Sequence, residues 1–368
     1  MKLPRPKSLI HGVPLAVGLI ACAPSPLRPT ANRAVGAEIG APSGDPAPNM
    51  PGAPGATGAP GAPGARLGSD SSGAPLTRHD PAASREESAT FDPGRPAALE
   101  VRRAPTGHLL VRAAINGVPA GWFIFDTGAG MCVVSSPHLA EFGLTPDGTI
   151  AANGVVGGTS ASLTRAERLE LGPLTLRDHP LLVTDLSFLR DYLGEEVAGV
   201  IGFGVLSRCV AEIDPLESRI ALFDPAGYRL EGTSWLPVEL EDRIPAVRAR
   251  FEDREGLFHI DTGANGGVSF TSRAVERWKL LEDRELQDAK LGGVGGFVAA
   301  KRGNLAWFEL GGLRQQAVSA TFPLESKGVL GGERIDGSLG AEVLRPFLLI
   351  TDLGARRVAF RARAPAGG

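Results

Sequence analysis

"FIFDTGAG", Phe123 to Gly130, places a carboxylate directly after an apolar run and directly before a Thr-Gly turn. Such a run reads as a buried strand, and a charge at its end is costly unless it is paired or put to use. The arrangement returns as "FHIDTGAN", Phe258 to Asn265, with Asp126 and Asp261 135 positions apart. The flanking blocks repeat in the same order. "FIFDTGAGMCVVSS" corresponds to "FHIDTGANGGVSFTS", "NGVVGGTSASL" to "LGGVGGFVAAK", and "AERLELGPL" to "LAWFELGGL". "AGVIGFGVLSRCVAEIDPLESRIALF" corresponds to "DGSLGAEVLRPFLLITDLGARRVAF", and their glycines Gly202 and Gly340 are 138 positions apart. The two offsets nearly agree, so the register holds across a whole lobe. A lone Asp-Thr-Gly reads as a hairpin turn whose Asp caps backbone amides. Two copies in the same ordered series of blocks read as a duplicated lobe.

The blocks are short apolar or alternating runs, such as "HLLVRAAING", "RLELGPLTL" and "HPLLVTDL", separated by Gly, Asp and Pro turns. These are strand signals, so the class is all-β. "SSPHLAEFGL" reads as a short helix, with Ser136 at the N-cap, Pro137 at the first position and Gly143 at the stop.

Two homologous lobes can pair about a pseudo-two-fold axis, where equivalent residues meet. Asp126 and Asp261 then face each other and share one proton, because two adjacent carboxylates cannot both ionise cheaply. The pair titrates as a unit. It can take a proton from water while giving one to a carbonyl oxygen, which is amide hydrolysis without a covalent intermediate. Gly128 and Gly263 let the backbone approach the carboxylates, and Thr127 and Thr262 are placed to hydrogen-bond across the axis.

On these residues the chain resembles the retropepsin-like aspartic proteases, in a bacterial single-chain form with two lobes. The likeness spans Leu99 to Phe360. It implies two β-barrel lobes with a short helix or more in each. It also implies that "VIG" (Val200 to Gly202) and "SLG" (Ser338 to Gly340) thread behind the catalytic loops. Flaps closing over a substrate are implied at "GVVGG", with Gly157 and Gly158, and at "GGVGG", with Gly295 and Gly296; neither tip carries an aromatic of the pepsin kind. Strand alternation puts Ile124 on the face of Asp126 and His259 on the face of Asp261, positions that line substrate subsites in the family. His259 would then titrate near 6.5 and tune side-chain preference in mildly acidic solution, or else turn to a backbone carbonyl and only pack. The implied function is an aspartic-type endopeptidase acting on peptide or protein substrates. The alternative is a peptide- or polymer-binding envelope lipoprotein that keeps the fold without turnover; the presence of both aspartates argues against it. Self-processing within the segment ahead of the lobes is a third idea.

The chain has 368 residues, a formal net charge of -3 and a pI of about 6.1. No basic stripe with interleaved aromatics suggests a nucleic-acid partner, and no apolar run is long enough to span a membrane. Without Cys-x-x-Cys or His-Glu-x-x-His, neither a metal nor an organic cofactor is expected. "AGVIGFG" and the other Gly clusters lack the surroundings of a nucleotide cradle. Residues 1–22 read as an export signal: Lys2, Arg5 and Lys7 precede the apolar "GVPLAVGLIA". It ends in "LIAC", which resembles a lipobox with Cys22 as the lipidated residue, giving a membrane-anchored protein facing the periplasm or cell surface. Ordinary cleavage after "ACA", giving a periplasmic or secreted protein, is the competing reading. Residues 23–98 are rich in Pro, Gly, Ala and Ser and read as a disordered tether. Within it "GAPGATGAPGAPGAR" is collagen-like but short. The N-terminal lobe is expected over 99–228 and the C-terminal lobe over 229–368. Cys132 and Cys209 read as small buried apolar residues, with a disulfide between them as a minority alternative.

Overall fold

In a computed structural model of the chain, the described residues are 21–23, 87–153, 158–293, 296–325 and 334–363. Ahead of the lobes, β1 (Ala21–Ala23) lies antiparallel to a strand of the C-terminal lobe. The N-terminal lobe contains β2 (Ser88–Phe91), β3 (Val101–Arg103), β4 (Leu109–Ile115), β5 (Val118–Phe125), β6 (Val133–Ser135), β7 (Asp147–Asn153), β8 (Gly158–Leu171), β9 (Leu174–Thr184) and β10 (Gly199–Ile201). It closes with β11 (Val210–Asp214) and β12 (Arg219–Phe223), and includes the helices α1 (Leu189–Leu193) and α2 (Phe203–Leu206). The C-terminal lobe contains β13 (Leu236–Pro237), β14 (Glu239–Glu241), β15 (Ile244–Phe251), β16 (Arg254–Ile260), β17 (Val268–Phe270), β18 (Gln287–Gly293), β19 (Gly296–Leu310), β20 (Leu313–Pro323) and β21 (Gly337–Leu339). It ends in β22 (Phe347–Asp352) and β23 (Arg357–Ala362), with α3 (Ser272–Trp278) and α4 (Ala341–Leu344).

Each lobe is a ring of hydrogen-bonded strands. In the first, β4 pairs with β5, β5 with β10, β10 with β6, β6 with β9, β9 with β8, and β8 returns to β4. In the second, β15, β16, β21, β17, β20 and β19 close in the same way. Closure removes the unpaired edges that a sheet would otherwise expose. The closing hairpins of the lobes join in one sheet of order β12-β11-β22-β23-β13, through the antiparallel pairing of β11 with β22.

The local chemistry explains the register. β4 and β5 are joined by Asn116 and Gly117, both with positive φ (52° and 83°), which suits a tight hairpin matched to strand twist. Alternation then sends Phe123 and Phe125 into the main core and Ile124 into a second cluster on the opposite face. The C-terminal core is more aromatic: Phe251, Phe258, Phe270 and Phe308 pack mostly edge-to-face or tilted around Trp278.

Two expectations change. Residues 88–98 do not all belong to a tether: β2 pairs with β9, and Ala98 bridges Ala221. Glu87 anchors this entry through His179 and Arg208, so ion pairing supplies what the polar composition lacks. The rest of that segment, with Gly52 to Arg66, lies outside the described residues. "SSPHLAEFGL" forms only a 3-10 turn at Ser136–His138, with Ser135 in the cap position. The Ser135 hydroxyl accepts from the Leu186 N–H instead of capping. In the second lobe Thr271 does cap, accepting from the Ala274 N–H, and α3 is a full helix. Cys132 and Cys209 are free and buried, in line with their reading as small apolar residues and not as a disulfide.

Candidate active site

The paired loops grow out of β5 and β16. The short strand β10 runs parallel to β5, and β21 runs parallel to β16. Their carbonyls anchor the aspartates: the Asp126 N–H donates to Ile201 O at 2.9 Å and the Asp261 N–H to Leu339 O at 3.0 Å. The next residues, Gly202 and Gly340, pass so close behind the loops that a Cβ on either would lie 2.4 Å from a loop carbonyl oxygen. This explains why "VIG" and "SLG" carry glycine, and why small Ser338 fits at 8% exposure where the pattern is otherwise apolar.

The two threonines lock the loops together. Thr127 Oγ1 donates to Ile260 O at 2.7 Å and accepts from the Thr262 N–H at 3.0 Å. Thr262 Oγ1 donates to Phe125 O at 2.9 Å and accepts from the Thr127 N–H at 3.0 Å. Four buried backbone groups are satisfied reciprocally, which is what a two-fold arrangement of identical turns requires.

Asp126 and Asp261 are brought together between these turns, at 0% and 2% exposure. Asp126 Oδ1 accepts from the Gly128 N–H at 2.7 Å, and Asp261 Oδ1 from the Gly263 N–H at 3.0 Å. The carboxyls are within hydrogen-bonding reach of each other. Each glycine abuts the opposite acid: a Cβ on Gly263 would lie 2.4 Å from Asp126 Cγ, and one on Gly128 2.6 Å from Asp261 Cγ. Asp126 Oδ2 is buried without an amide or hydroxyl donor, so a proton shared with the facing carboxyl is the group that satisfies it. Burial pushes Asp126 up to about 6, against the pull of the loop amides. Burial, and then the charge of Asp126, raise Asp261 well above the ordinary carboxylate range. Together they hold a proton near neutral pH.

Each flap candidate lies at the end of a strand pair. β7 and β8 pair up to Asn153 and Gly158, and β18 and β19 up to Gly293 and Gly296. Gly157 and Gly295 lie outside the described residues. Gly296 takes a φ of 117°, open to glycine. One residue beyond it stands an aromatic that the reading of the tips passed over: Phe297 is exposed, its ring against Gly292. On the inner face, Leu291, Val298 and Ala300 pack with Ala264, which follows the second Asp-Thr-Gly.

Ile124 and His259 are both buried. Ile124 packs with Ala129 and Val200. His259 departs from the expectation of a group titrating near 6.5. Complete burial pushes it down to about 4, so it stays neutral in mildly acidic solution. Its Nε2 finds no hydrogen-bond partner. Sequence reading missed three polar groups beside the second loop. His108 Nε2 donates to Gly263 O at 2.9 Å, and Asn265 Nδ2 donates to the Tyr192 hydroxyl at 2.7 Å. The only sequence signal for His108 is a polar ring just ahead of a largely apolar strand. Among the described residues no cluster of His, Cys, Asp and Glu is arranged to hold a metal ion.

A family described as aspartyl protease matches residues 111–205 and 247–343, one segment per lobe, each containing its Asp-Thr-Gly. No curated protein matches the chain. Among solved structures, the crystal structure of basic 7S globulin from soybean is similar over 72% of this chain and 94% of that one, with 13% identity and a TM-score of 0.42.

Proposed function

The chain belongs to the aspartyl protease family, and we propose that it is an active endopeptidase whose dyad is Asp126 and Asp261. The observation that carries this reading is the reciprocal threonine lock around two buried acids that face each other across its glycines. In the reaction, the ionised carboxyl takes a proton from a water molecule, and the resulting hydroxide attacks the peptide carbonyl carbon. The protonated carboxyl gives its proton to the carbonyl oxygen. The tetrahedral species collapses as the amine nitrogen leaves with a proton returned from the dyad. Because burial raises both acids, the singly protonated state extends to neutral pH, so activity should rise as pH passes about 6 rather than peak in strong acid.

The substrate is an extended peptide segment between the flap hairpins and the dyad. Ile124 and His259 support the walls of the adjoining subsites, both uncharged at working pH. On the sequence pattern of residues 1–22, the protein is exported and held at a membrane through Cys22, facing the periplasm or cell surface. Among the described residues no helix is long and apolar enough to cross a membrane.

Cleavage of an unfolded protein substrate by the full-length chain tests the proposal. Asp126→Asn and Asp261→Asn should each abolish cleavage while leaving the thermal transition in place. Equal cleavage by wild type and either variant would refute the dyad. Tight binding of unfolded chains with no cleavage by wild type would assign the fold to binding.

A further inference from the structure

The two catalytic loops repeat each other in sequence and share the threonine lock, yet among the described residues only the second has its glycine carbonyl bonded by a further side chain from the opposite lobe. His108 is 1% exposed, and its Nε2 lies 2.9 Å from the carbonyl oxygen of Gly263. A carbonyl only accepts, so Nε2 carries the proton. Nδ1, 2.7 Å from Thr106 Oγ1, then accepts from that hydroxyl. Burial pushes the ring down to about 4, which keeps it neutral and this tautomer fixed. Beside it, Tyr192 of α1 meets the ring edge-on at 5.8 Å and takes a hydrogen bond from Asn265. His108 and Tyr192 thus bracket the loop from Gly263 to Asn265.

The equivalent position in the second lobe is Ile244: Leu110 pairs with Ile124 as Ala246 pairs with His259, and His108 and Ile244 stand two residues before these partners. Ile244 is buried and apolar, with no group to donate. Among the described residues no side chain donates to the Gly128 carbonyl. The difference falls on a glycine that touches both acids. The Gly263 N–H donates to Asp261, its Cα abuts Asp126, and the N–H of the following peptide group, that of Ala264, turns back on Asp261, donating to its main-chain carbonyl at 3.3 Å and favouring its ionised carboxyl.

We infer that His108 is a positioning residue: by donating to Gly263 O it orients and polarises the peptide group that presents its N–H to Asp261, so the N-terminal lobe sets the geometry of the C-terminal acid. The inference rests on the proposed peptidase activity. A hydrogen bond to a carbonyl strengthens donation by the N–H of the same peptide group. N–H donors stabilise the ionised carboxyl. Removing His108 should therefore slow turnover and move the dyad's titration upward. The titratable groups concerned are the two acids themselves, since no other charged group is among the influences on either.

The test compares full-length wild type with His108→Leu, His108→Gln and Thr106→Val. The readouts are steady-state kinetics on an unfolded protein substrate and the titration of the dyad by carboxyl carbon NMR. A glutamine amide can place a donor near the position of Nε2. His108→Leu should lower kcat by about tenfold or more with KM held, as expected for loss of one buried hydrogen bond. Its dyad should titrate at higher pH, and His108→Gln should recover most of both. Thr106→Val frees the tautomer and should shift both readouts in the same direction by less. It decides the matter if the leucine variant does not fold. Equal losses in the leucine and glutamine variants, or a dyad titration unmoved in all three, would overturn the inference. If wild type shows no turnover, the peptidase reading fails, and the titration alone still decides whether His108 acts on the dyad.

Discussion

Alanine at Gly263 is the most direct probe of how closely the two acids approach. Neither Gly263 nor Gly128 has a left-handed φ, so alanine costs nothing in backbone strain and the whole effect is steric. The new methyl carbon at position 263 would lie 2.4 Å from Asp126 Cγ and 2.5 and 2.6 Å from its oxygens, where ordinary contact begins at 3.4 Å. Something must retreat by about 1 Å. The threonine lock holds the loop, and Asp126 is enclosed on all sides, so the strain falls on the relation between the carboxyls. Overpacking of this kind costs about 1–3 kcal/mol of stability, and a misplacement near 1 Å at a reacting centre costs about 100-fold in rate. Gly263→Ala should therefore remain folded, melt a few degrees lower and lose at least about 100-fold in kcat/KM. Gly128→Ala, with its nearest approach at 2.6 Å from Asp261, should follow the same course slightly less severely. Gly227→Ala is the control, since a Cβ there meets only the Asp224 carbonyl oxygen at 4.0 Å. The assay is cleavage of an unfolded protein substrate alongside thermal melting. Wild-type kcat/KM and melting temperature in Gly263→Ala would mean that the carboxyls do not face each other across that glycine.

Two further predictions concern stability. Thr127→Val leaves the Ile260 carbonyl and the Thr262 N–H without partners; at about 1–3 kcal/mol for each buried unsatisfied group it should be far less stable to urea than Thr127→Ser, which keeps the hydroxyl. A serine variant as unstable as the valine variant would refute the lock. At the back of the N-terminal lobe, burial opposes a charged His179, but the nearby Cys132 sulfur and the Glu87 carboxylate, which is 2.6 Å from Nδ1, outweigh it and raise the ring to about 9. A raised pKa stabilises the fold fully below the unfolded value near 6.5, and that stability is lost as pH rises through about 9. The gap corresponds to on the order of 3 kcal/mol. Melting temperature should fall between pH 6 and 9.5 in wild type and much less in His179→Gln, and parallel falls in the two proteins would exclude His179 as the cause.

The dyad was legible because duplication supplies its own control. A single Asp-Thr-Gly is ambiguous between a turn cap and a catalytic loop, while two copies in register, each followed at nearly the same distance by a glycine, leave little but a paired site. The glycine was legible for a physical reason, since a loop carbonyl sits 2.4 Å from where its Cβ would be. What escaped reading lies where an interaction joins distant parts of the chain or where composition misleads. Nothing near His108 reveals a partner 155 positions away that is a backbone carbonyl, because every residue has one. "ESATF", Glu87 to Phe91, falls in a stretch that reads as solvated chain, yet Ser88–Phe91 is an entry strand, because His179 and Arg208 wait on the barrel wall for Glu87.

The differences between the lobes carry a separate lesson. Duplication predicts equal halves, and the parts that must be equal are so: the threonine lock, the carbonyls anchoring each Asp N–H, and the glycines threading behind. These serve the shared axis, where a change on one side has to be matched on the other. The departures lie off the axis. Ile124 stands opposite His259, His108 opposite Ile244, and Ser135 opposite Thr271, so that one lobe has a 3-10 turn where the other has a capped helix. A homodimer of single lobes could hold none of these differences, because each substitution would appear twice. In a fused chain, one acid can be buttressed from across the interface while the other is not, and one flap can carry Phe297 where the other has Thr159. A substrate bound across such a site meets two unlike walls, and therefore has a direction.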